Sequence, residues 1–422
     1  MNSILISAIA SNQGKTLLTT ALLYHYKNSV RPFKIGPDYI DPQFHKKICN
    51  IDSINLDTFI MNEQQVLWLF NHYSNKKFSI LEGVMGFYDG MNMGCSAYNI
   101  GKLLNIPTIL ILDGSGSYIT ISAVLKGLKT YKEDNTIKAV VLNKLSSSMH
   151  FELIKTQIES DFNDIEVLGW IKKDLTTLKT THLGLDLNSI NKQVLEELSK
   201  EVLENINLKK LEELSSYKKK TVLEYPFNSF SKIDKKVAII NDENFSFLYY
   251  DNFKFLEELF LEVEIINPSK DEEISKDTHL VFIPGGYVET QINYNRIKDK
   301  NRFKNSLLTH IKNKKYVYAE CAGLLYLSKS VDDKKMSEVL DVEFTLTNKR
   351  VRLGYYYSEN GLKGHAFHYT KPKSLDNAID ILSKKPNIKG QEAAWRKQNV
   401  YGTYLHTMFR NNLTILKDYF GI

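Results

Sequence analysis

The chain is poor in cysteine: 422 residues carry only Cys49, Cys95 and Cys321. Three scattered thiols exclude a disulfide framework and a cysteine-built zinc site, so a reducing cytoplasm is the expected setting. No apolar stretch approaches the roughly 20 residues that a membrane-spanning helix needs. The first apolar run, Ser3–Ala8, lacks a basic flank and a small-residue cleavage site. It leads directly into a Gly-Lys-Thr turn, so it reads as a buried strand and not as a signal peptide. A basic stripe interleaved with aromatics is missing too. The net charge is +6, but the lysines are spread along the chain, with a cluster at Lys218, Lys219, Lys220, Lys232, Lys235 and Lys236. Solvated faces and an affinity for small anions are expected, and nucleic-acid binding is not. There is no internal repeat and no low-complexity tract.

What remains is an ordinary globular composition, 43% hydrophobic and 25% charged. The length exceeds what one core usually serves, so two domains of about 200 residues each are expected. Unalternating apolar runs recur between helix-length segments at Ile4–Ile9, Phe33–Ile35, Ser79–Leu81, Thr108–Leu112, Ala139–Leu142 and Val167–Trp170. Such runs predict fully buried parallel strands, hence an α/β fold with a doubly wound, mostly parallel sheet. From about Asn188 to Asp234 the chain is rich in lysine and glutamate and only weakly helical. Strands resume at Val237–Ile240, Val263–Ile266, Leu280–Ile283 and Tyr316–Ala319, a second α/β unit. The expected division is a nucleotide-binding domain over 1–190, a helix and linker over 191–234, and a second domain over 235–422.

Gly14, Lys15 and Thr16 lie between a buried strand and an apolar helix (Leu17, Leu18, Ala21, Leu22). In that context backbone N–H groups and the helix start cradle phosphates, Lys15 neutralises them, and Thr16 can ligate magnesium. The strict phosphate-loop pattern requires glycine where Ile9 stands, and Ala8 occupies the place a longer variant gives to glycine. Glu82 ends the strand Ser79–Leu81 and precedes a glycine-rich turn, so it is a second candidate for magnesium. The segment from Phe33 to His45 carries Gly36-Pro37-Asp38-Tyr39-Ile40-Asp41-Pro42. Its two prolines predict a rigid loop at a strand's carboxyl end, where open α/β sheets bind ligands. Asp38 and Asp41 there either coordinate a second magnesium or position a substrate, or they cap helix N–H groups.

Near the other end, Tyr316–Ala319 runs through Glu320 into Cys321 and then an apolar helix-like segment, a strand–nucleophile–helix elbow. The turn exposes the side chain and sets the thiol at a helix start, where thiolate is expected to be favoured. The N–H of Ala322 is then one oxyanion donor, and the loop Pro284-Gly285-Gly286-Tyr287 is placed to supply another. A histidine is expected as the base.

Three segments, FKIGPDYIDPQFH, LEGVMGFYDG and THLGL (Thr181–Leu185), with the modified phosphate loop, closely resemble the cobyrinic acid a,c-diamide synthase family. The likeness runs from the first strand to the last tens of residues. It implies a carbon–nitrogen ligase of cobalamin biosynthesis that uses ATP, magnesium and L-glutamine to amidate the a and c acetates of cobyrinic acid. It also implies a C-terminal domain like the class I glutamine amidotransferases, in which a PGGY loop is an oxyanion loop. Roles for Asp38, Tyr39, Asp41, Glu82 and Asp89 in magnesium binding, substrate binding or ordering of the two amidations are implied by the family. So is His406, in Gly402-Thr-Tyr-Leu-His406, as the histidine that activates Cys321. His365 and His368 resemble a family segment and are expected to pack or bind near the site.

Departures from the family pattern remove no reacting group. Ala322 replaces the glycine usual after the cysteine, at an expected cost of about 1 kcal/mol if the elbow is strained there. Met408 stands where many class I enzymes carry glutamate, so a Cys–His dyad is expected. Asn12 and Ala366 replace a glycine and a glutamate. The resemblance implies glutamine hydrolysis at Cys321, a sheltered passage of ammonia, and attack of ammonia on an acyl phosphate made by ATP. A sister ligase acting on hydrogenobyrinic acid or nickel-sirohydrochlorin is the nearest alternative. A nucleotide switch or metallochaperone ATPase with a vestigial second domain is a further one, against which Cys321, PGGY and His406 all speak. The implied partners are ATP, L-glutamine and the tetrapyrrole, with no nucleic acid and no membrane; a homodimer is compatible with the sequence.

Overall fold

A computed structural model describes residues 2–175, 192–216, 220, 224–374, 378–385, 388 and 390–422. The THLGL segment and the linker residues Lys218 and Lys219 lie outside the described residues. The chain forms two compact units, Met1–Pro226 and Phe227–Ile422.

In the first unit the buried apolar runs become seven strands: β1 (Asn2–Ala8), β2 (Val30–Ile35), β3 (Ile54–Leu56), β4 (Phe78–Glu82), β5 (Thr108–Asp113), β6 (Ile137–Leu145) and β7 (Glu166–Lys172). They form one sheet in the order β3-β2-β4-β1-β5-β6-β7, and every pairing is parallel. The short edge strand β3 is too brief to leave a pattern in the sequence. The helices are α1 (Lys15–His25), α2 (Ile40–Cys49), α3 (Glu63–Tyr73), α4 (Ala97–Leu104), α5 (Ile119–Tyr131), α6 (Ser148–Asp161), α7 (Lys192–Leu203) and α8 (Leu208–Leu214). Strand order reverses about the central β1, and at such a switch point the strand ends leave a crevice for ligands. In the lysine-rich segment after 190, Leu195, Leu198 and Val202 form the apolar stripe of α7 in the core of this unit. There Ser199 Oγ donates to the carbonyl of Ala21 at 2.9 Å.

The second unit begins with β8 (Ile233–Ile240), α9 (Tyr250–Leu259), β9 (Phe260–Ile266), β10 (Thr278–Ile283), α10 (Gln291–Ile297), α11 (Asn301–Lys312), β11 (Tyr316–Glu320) and α12 (Ala322–Leu327). Three short strands follow, β12 (Ser330–Val331), β13 (Lys334–Lys335) and β14 (Glu343–Leu346). Then come β15 (Arg352–Ser358), β16 (Lys363–His368), β17 (Thr370–Pro372), β18 (Ala378–Ser383), β19 (Gln391–Lys397), β20 (Val400–Thr403) and α13 (Phe409–Phe420). The main sheet runs β16-β15-β18-β19-β20-β11-β10-β8-β9. Its β9-β8-β10-β11-β20 part is parallel, whereas β20-β19-β18-β15-β16 is antiparallel. The antiparallel part is not legible as apolar runs because β15 and β16 mix lysine, glycine and half-buried tyrosines, and β18 interrupts its apolar residues with the buried Asp380.

Among the described residues no helix is long and apolar enough to cross a membrane. One buried ion network fastens α13 to α9: Arg410 donates to Asp251 at 3.0 Å and to Glu258 at 2.6 Å. Replacing Arg410 by methionine strands the largely buried Asp251 carboxylate and is expected to destabilise the second unit by about 3 kcal/mol. Urea denaturation followed by circular dichroism measures the loss.

Candidate functional site

The phosphate loop works through two left-handed residues. Asn12 has φ 61° and Gly14 φ 105°. Asparagine is among the few non-glycine residues that accept this conformation readily, which accounts for its standing at position 12. Gly14 is required twice over, since a Cβ there would meet Asn143 Nδ2 at 2.3 Å. That amide, at the carboxyl end of β6, donates to the Gln13 carbonyl at 2.8 Å and fixes the loop from below. Lys15 curls back to donate to the Ala10 carbonyl at 2.8 Å. Burial and the neighbouring Lys34 push its ammonium below the ordinary lysine range. The turn after β4 lies against the loop, with Phe87 N–H donating to the Ala8 carbonyl at 2.8 Å. A Cβ at Gly86 would meet the Ile9 carbonyl at 2.4 Å. Asp89 closes this turn by accepting the Gly86 N–H at 2.7 Å.

Glu82 is fully buried at the end of β4. Thr16 Oγ1 donates to its Oε1 at 2.7 Å, and His45 Nε2 lies 2.9 Å from its Oε2. Lys34, paired with Glu82 in the β2–β4 register, puts its ammonium 3.5 Å from Glu82, 3.5 Å from Asp38 and in contact with Asp41. Burial alone would deprotonate Lys34, but the carboxylates of Glu82, Asp41 and Asp38 outweigh it and hold the ammonium charged. Burial works against Glu82 as well, yet Lys34, His45 and Thr16 keep it below the usual carboxylate range. Asp41 goes the other way, raised by burial and by Glu82. Sequence reasoning missed Lys34 and His45, although both lie inside the Phe33–His45 segment. The available signal was a lysine in an otherwise apolar, buried strand.

The proline-bounded segment is not loop throughout. α2 starts at Ile40 and takes Pro42 into its first turn, where a missing N–H breaks no helical hydrogen bond. Of the two readings of the aspartates, only the capping one has a contact here: Asp38 Oδ1 caps the Ile40 N–H at 2.8 Å. Asp41 does neither and pairs with Lys34. Tyr39 is buried at the helix start. Asn55 pins the turn by donating to the carbonyls of Gly36 and Asp38 at 2.9 and 2.8 Å. Thr16, Glu82 and Asp41 thus gather hydroxyl and carboxylate oxygens, the donors magnesium prefers. Among the described residues no three His, Cys, Asp or Glu side chains form a ready metal cluster.

In the second unit Cys321 has φ 46° and ψ −102° at the head of α12. Its N–H donates to the Thr403 carbonyl at 2.7 Å. The strain therefore falls on the cysteine, and Ala322, the first helical residue, incurs none of the cost expected for lacking glycine. The backbone N–H groups of Ala322 and Gly286 both face the Cys321 sulfur. Gly286 has φ 152°, and a Cβ there would meet the Asn244 carbonyl at 2.1 Å. Gly285 lies flat against His406, where a Cβ would meet Cε1 at 2.1 Å. His406 exchanges backbone hydrogen bonds with His365 at 2.8 and 2.9 Å. Asn252 holds the flanking chain by bonding the Thr407 carbonyl and the Phe409 N–H, each at 2.8 Å.

The thiol differs from the sequence expectation. Burial first, and then Glu289, push the Cys321 thiol well above its ordinary value. A helix of six residues brings too small a dipole to offset the lost solvation. His368 packs: Arg352 donates to its Nε2 at 3.1 Å, Nδ1 lies 2.8 Å from the Thr370 carbonyl, and the ring stacks on Tyr404.

The profile of the CobQ/CobB/MinD/ParA nucleotide binding domain matches residues 4–185, and that of the CobB/CobQ-like glutamine amidotransferase domain matches residues 236–414. The chain is 33% identical to a cobyrinate a,c-diamide synthase of Caldanaerobacter subterraneus, covering 98% of this chain and 96% of that one. It is 32% identical to one of Saccharolobus solfataricus over 97% and 98% of the two chains. With one of Fusobacterium nucleatum it shares 32% over the full length of both.

The charge cluster generates a stability test. Lys34→Met leaves three carboxylates without their cation and is expected to destabilise the first unit by about 3 kcal/mol or more near neutral pH. Protonating those carboxylates relieves the excess charge, so the deficit narrows as the pH falls toward about 4. Urea titrations of both proteins at the two pH values measure it.

Proposed function

This chain belongs to the cobyrinate a,c-diamide synthase family of glutamine-dependent amidoligases, and on that premise we propose that it amidates the a and c acetates of cobyrinic acid in a reducing cytoplasm. One observation carries the reading: the same chain holds a buried carboxylate–lysine cluster under a phosphate loop and a cysteine faced by two backbone N–H groups.

In this reading residues 1–190 activate the carboxylate, 191–234 first pack α7 and α8 on the first unit and then link, and 235–422 release ammonia. Cys321 gives its proton to His406 and its sulfur attacks the amide carbon of glutamine. The N–H groups of Gly286 and Ala322 stabilise the oxyanion, while Gly285 lets the imidazole lie close. Ammonia leaves, and water then frees glutamate from the thioester. The ammonia must travel sheltered, because at neutral pH water would protonate it and remove its nucleophilic lone pair. In the first unit Gly14 and the loop N–H groups bind the triphosphate of ATP, and Lys15 neutralises it. Thr16, Glu82 and Asp41 are the residues that would hold magnesium, which supplies positive charge at the phosphates when bound. A substrate carboxylate oxygen attacks the γ-phosphorus and ADP departs, leaving an acyl phosphate. Ammonia attacks its carbonyl carbon and phosphate leaves, giving the amide. Asp38, Tyr39, Asp41 and Asp89 serve substrate binding or the order of the two amidations.

Cys321→Ser is expected to abolish glutamine-dependent amidation and leave ammonia-dependent amidation intact; equal loss of both, with the fold retained, overturns the division of labour. Gly285→Ala should displace His406 and lower glutamine hydrolysis about 100-fold. Mass spectrometry of products from cobyrinic acid, hydrogenobyrinic acid and nickel-sirohydrochlorin identifies the substrate. Two carboxylate-to-amide conversions on cobyrinic acid alone are the expected result.

A further inference from the structure

The residue before the nucleophile, Glu320, ends β11 with a carboxylate only 1% exposed. Its two oxygens have different surroundings. Oε1 accepts the Thr407 N–H at 3.3 Å and the Tyr318 hydroxyl at 3.4 Å. Oε2 lies 3.5 Å from His406 Nδ1. Thr407 follows His406 in the chain, so one short segment fixes both the imidazole and the carboxylate beside it. No Lys or Arg ion pair to Glu320 is found among the described residues. A carboxylate buried only for structure would be expected to use both oxygens on fixed donors or on a cation. Here one oxygen is anchored and the other is left facing a ring nitrogen.

We propose that Glu320 is the positioning residue of the cysteine site: it holds His406 in the Nδ1–H form and balances the imidazolium created when the thiol proton is taken. The inference rests on the proposed roles of Cys321 and His406. Imidazole has two nitrogens, and only the Nδ1–H tautomer leaves Nε2 able to accept a proton. A carboxylate at Nδ1 selects that tautomer; burial raises the Glu320 carboxyl, and His406, the Thr407 N–H and Tyr318 oppose that shift. The proton passes from Sγ to Nε2, the electron pair remains on sulfur, and the proton later goes to the departing ammonia. The bond from Nδ1–H to Oε2 strengthens when the ring becomes charged. The site is therefore a triad whose acid is the sequence neighbour of its nucleophile.

Glu320→Gln is the decisive variant. Its amide oxygen can stay on the Thr407 N–H, which turns the NH2 group toward Nδ1 and selects the opposite tautomer. The expected result is a fall in kcat for glutamine hydrolysis of at least about 100-fold, with KM for glutamine within about threefold and ammonia-dependent amidation unchanged. A kcat near the wild-type value overturns the proposal, as does a rise in KM with kcat preserved. Nitrogen-15 NMR of histidine-labelled wild type, assigned with His406→Gln, decides the matter without depending on how Glu320→Gln folds. A resting Nδ1–H signal for His406 is expected, and an Nε2–H signal overturns the proposal. If the wild type hydrolyses no glutamine, the functional reading fails instead, and the tautomer still reports on Glu320.

Discussion

The buried ammonium of Lys34 is the interaction on which the phosphate-binding edge depends. Glu82, Asp41 and Asp38 converge on a space from which solvent is largely excluded, and without a cation their mutual repulsion would pull the strand ends apart. The lysine is placed by strand register and not by a loop, so the backbone that builds the sheet also sets the charge balance of the site. Glu82 is then free to orient Thr16 on one side and accept His45 on the other.

Both units put their chemistry at the carboxyl ends of parallel strands, and both do so through backbone that side chains would obstruct. Gly14 makes room for Asn143, Gly86 for the Ile9 carbonyl, and Gly285 for the His406 ring. In each case the glycine lets two segments approach within contact distance, and the neighbour it admits is itself a functional or supporting group. Left-handed backbone occurs at Asn12 and Cys321 beside these glycines, as it also does at turns elsewhere in the chain such as Asn50 and Lys314.

Much of this was legible in the sequence. Unalternating apolar runs marked the parallel strands other than β3 and β20, because burial on both faces leaves little choice of residue. The phosphate loop and the cysteine elbow were legible because each needs a strand, a turn and a helix in immediate succession. What escaped was set by partners distant in sequence. The antiparallel strands after β14 carry half-polar faces that no periodicity separates from loop. Lys34 read as a strand residue, and only the fold shows three carboxylates around it. Glu320 read only as the residue between the strand Tyr316–Ala319 and the cysteine, and Met408 near the histidine pointed to a dyad. The carboxylate beside His406 comes instead from β11, a long way back along the chain.

The burial of Cys321, whose thiol is pushed above its ordinary value by burial and Glu289, bears on more than the proposed reaction. Peroxides and electrophilic small molecules react with thiolate, and a sulfur that holds its proton in a dry pocket offers them little. On the proposed mechanism the buried sulfur thus offers such oxidants less than an exposed low-pKa cysteine would.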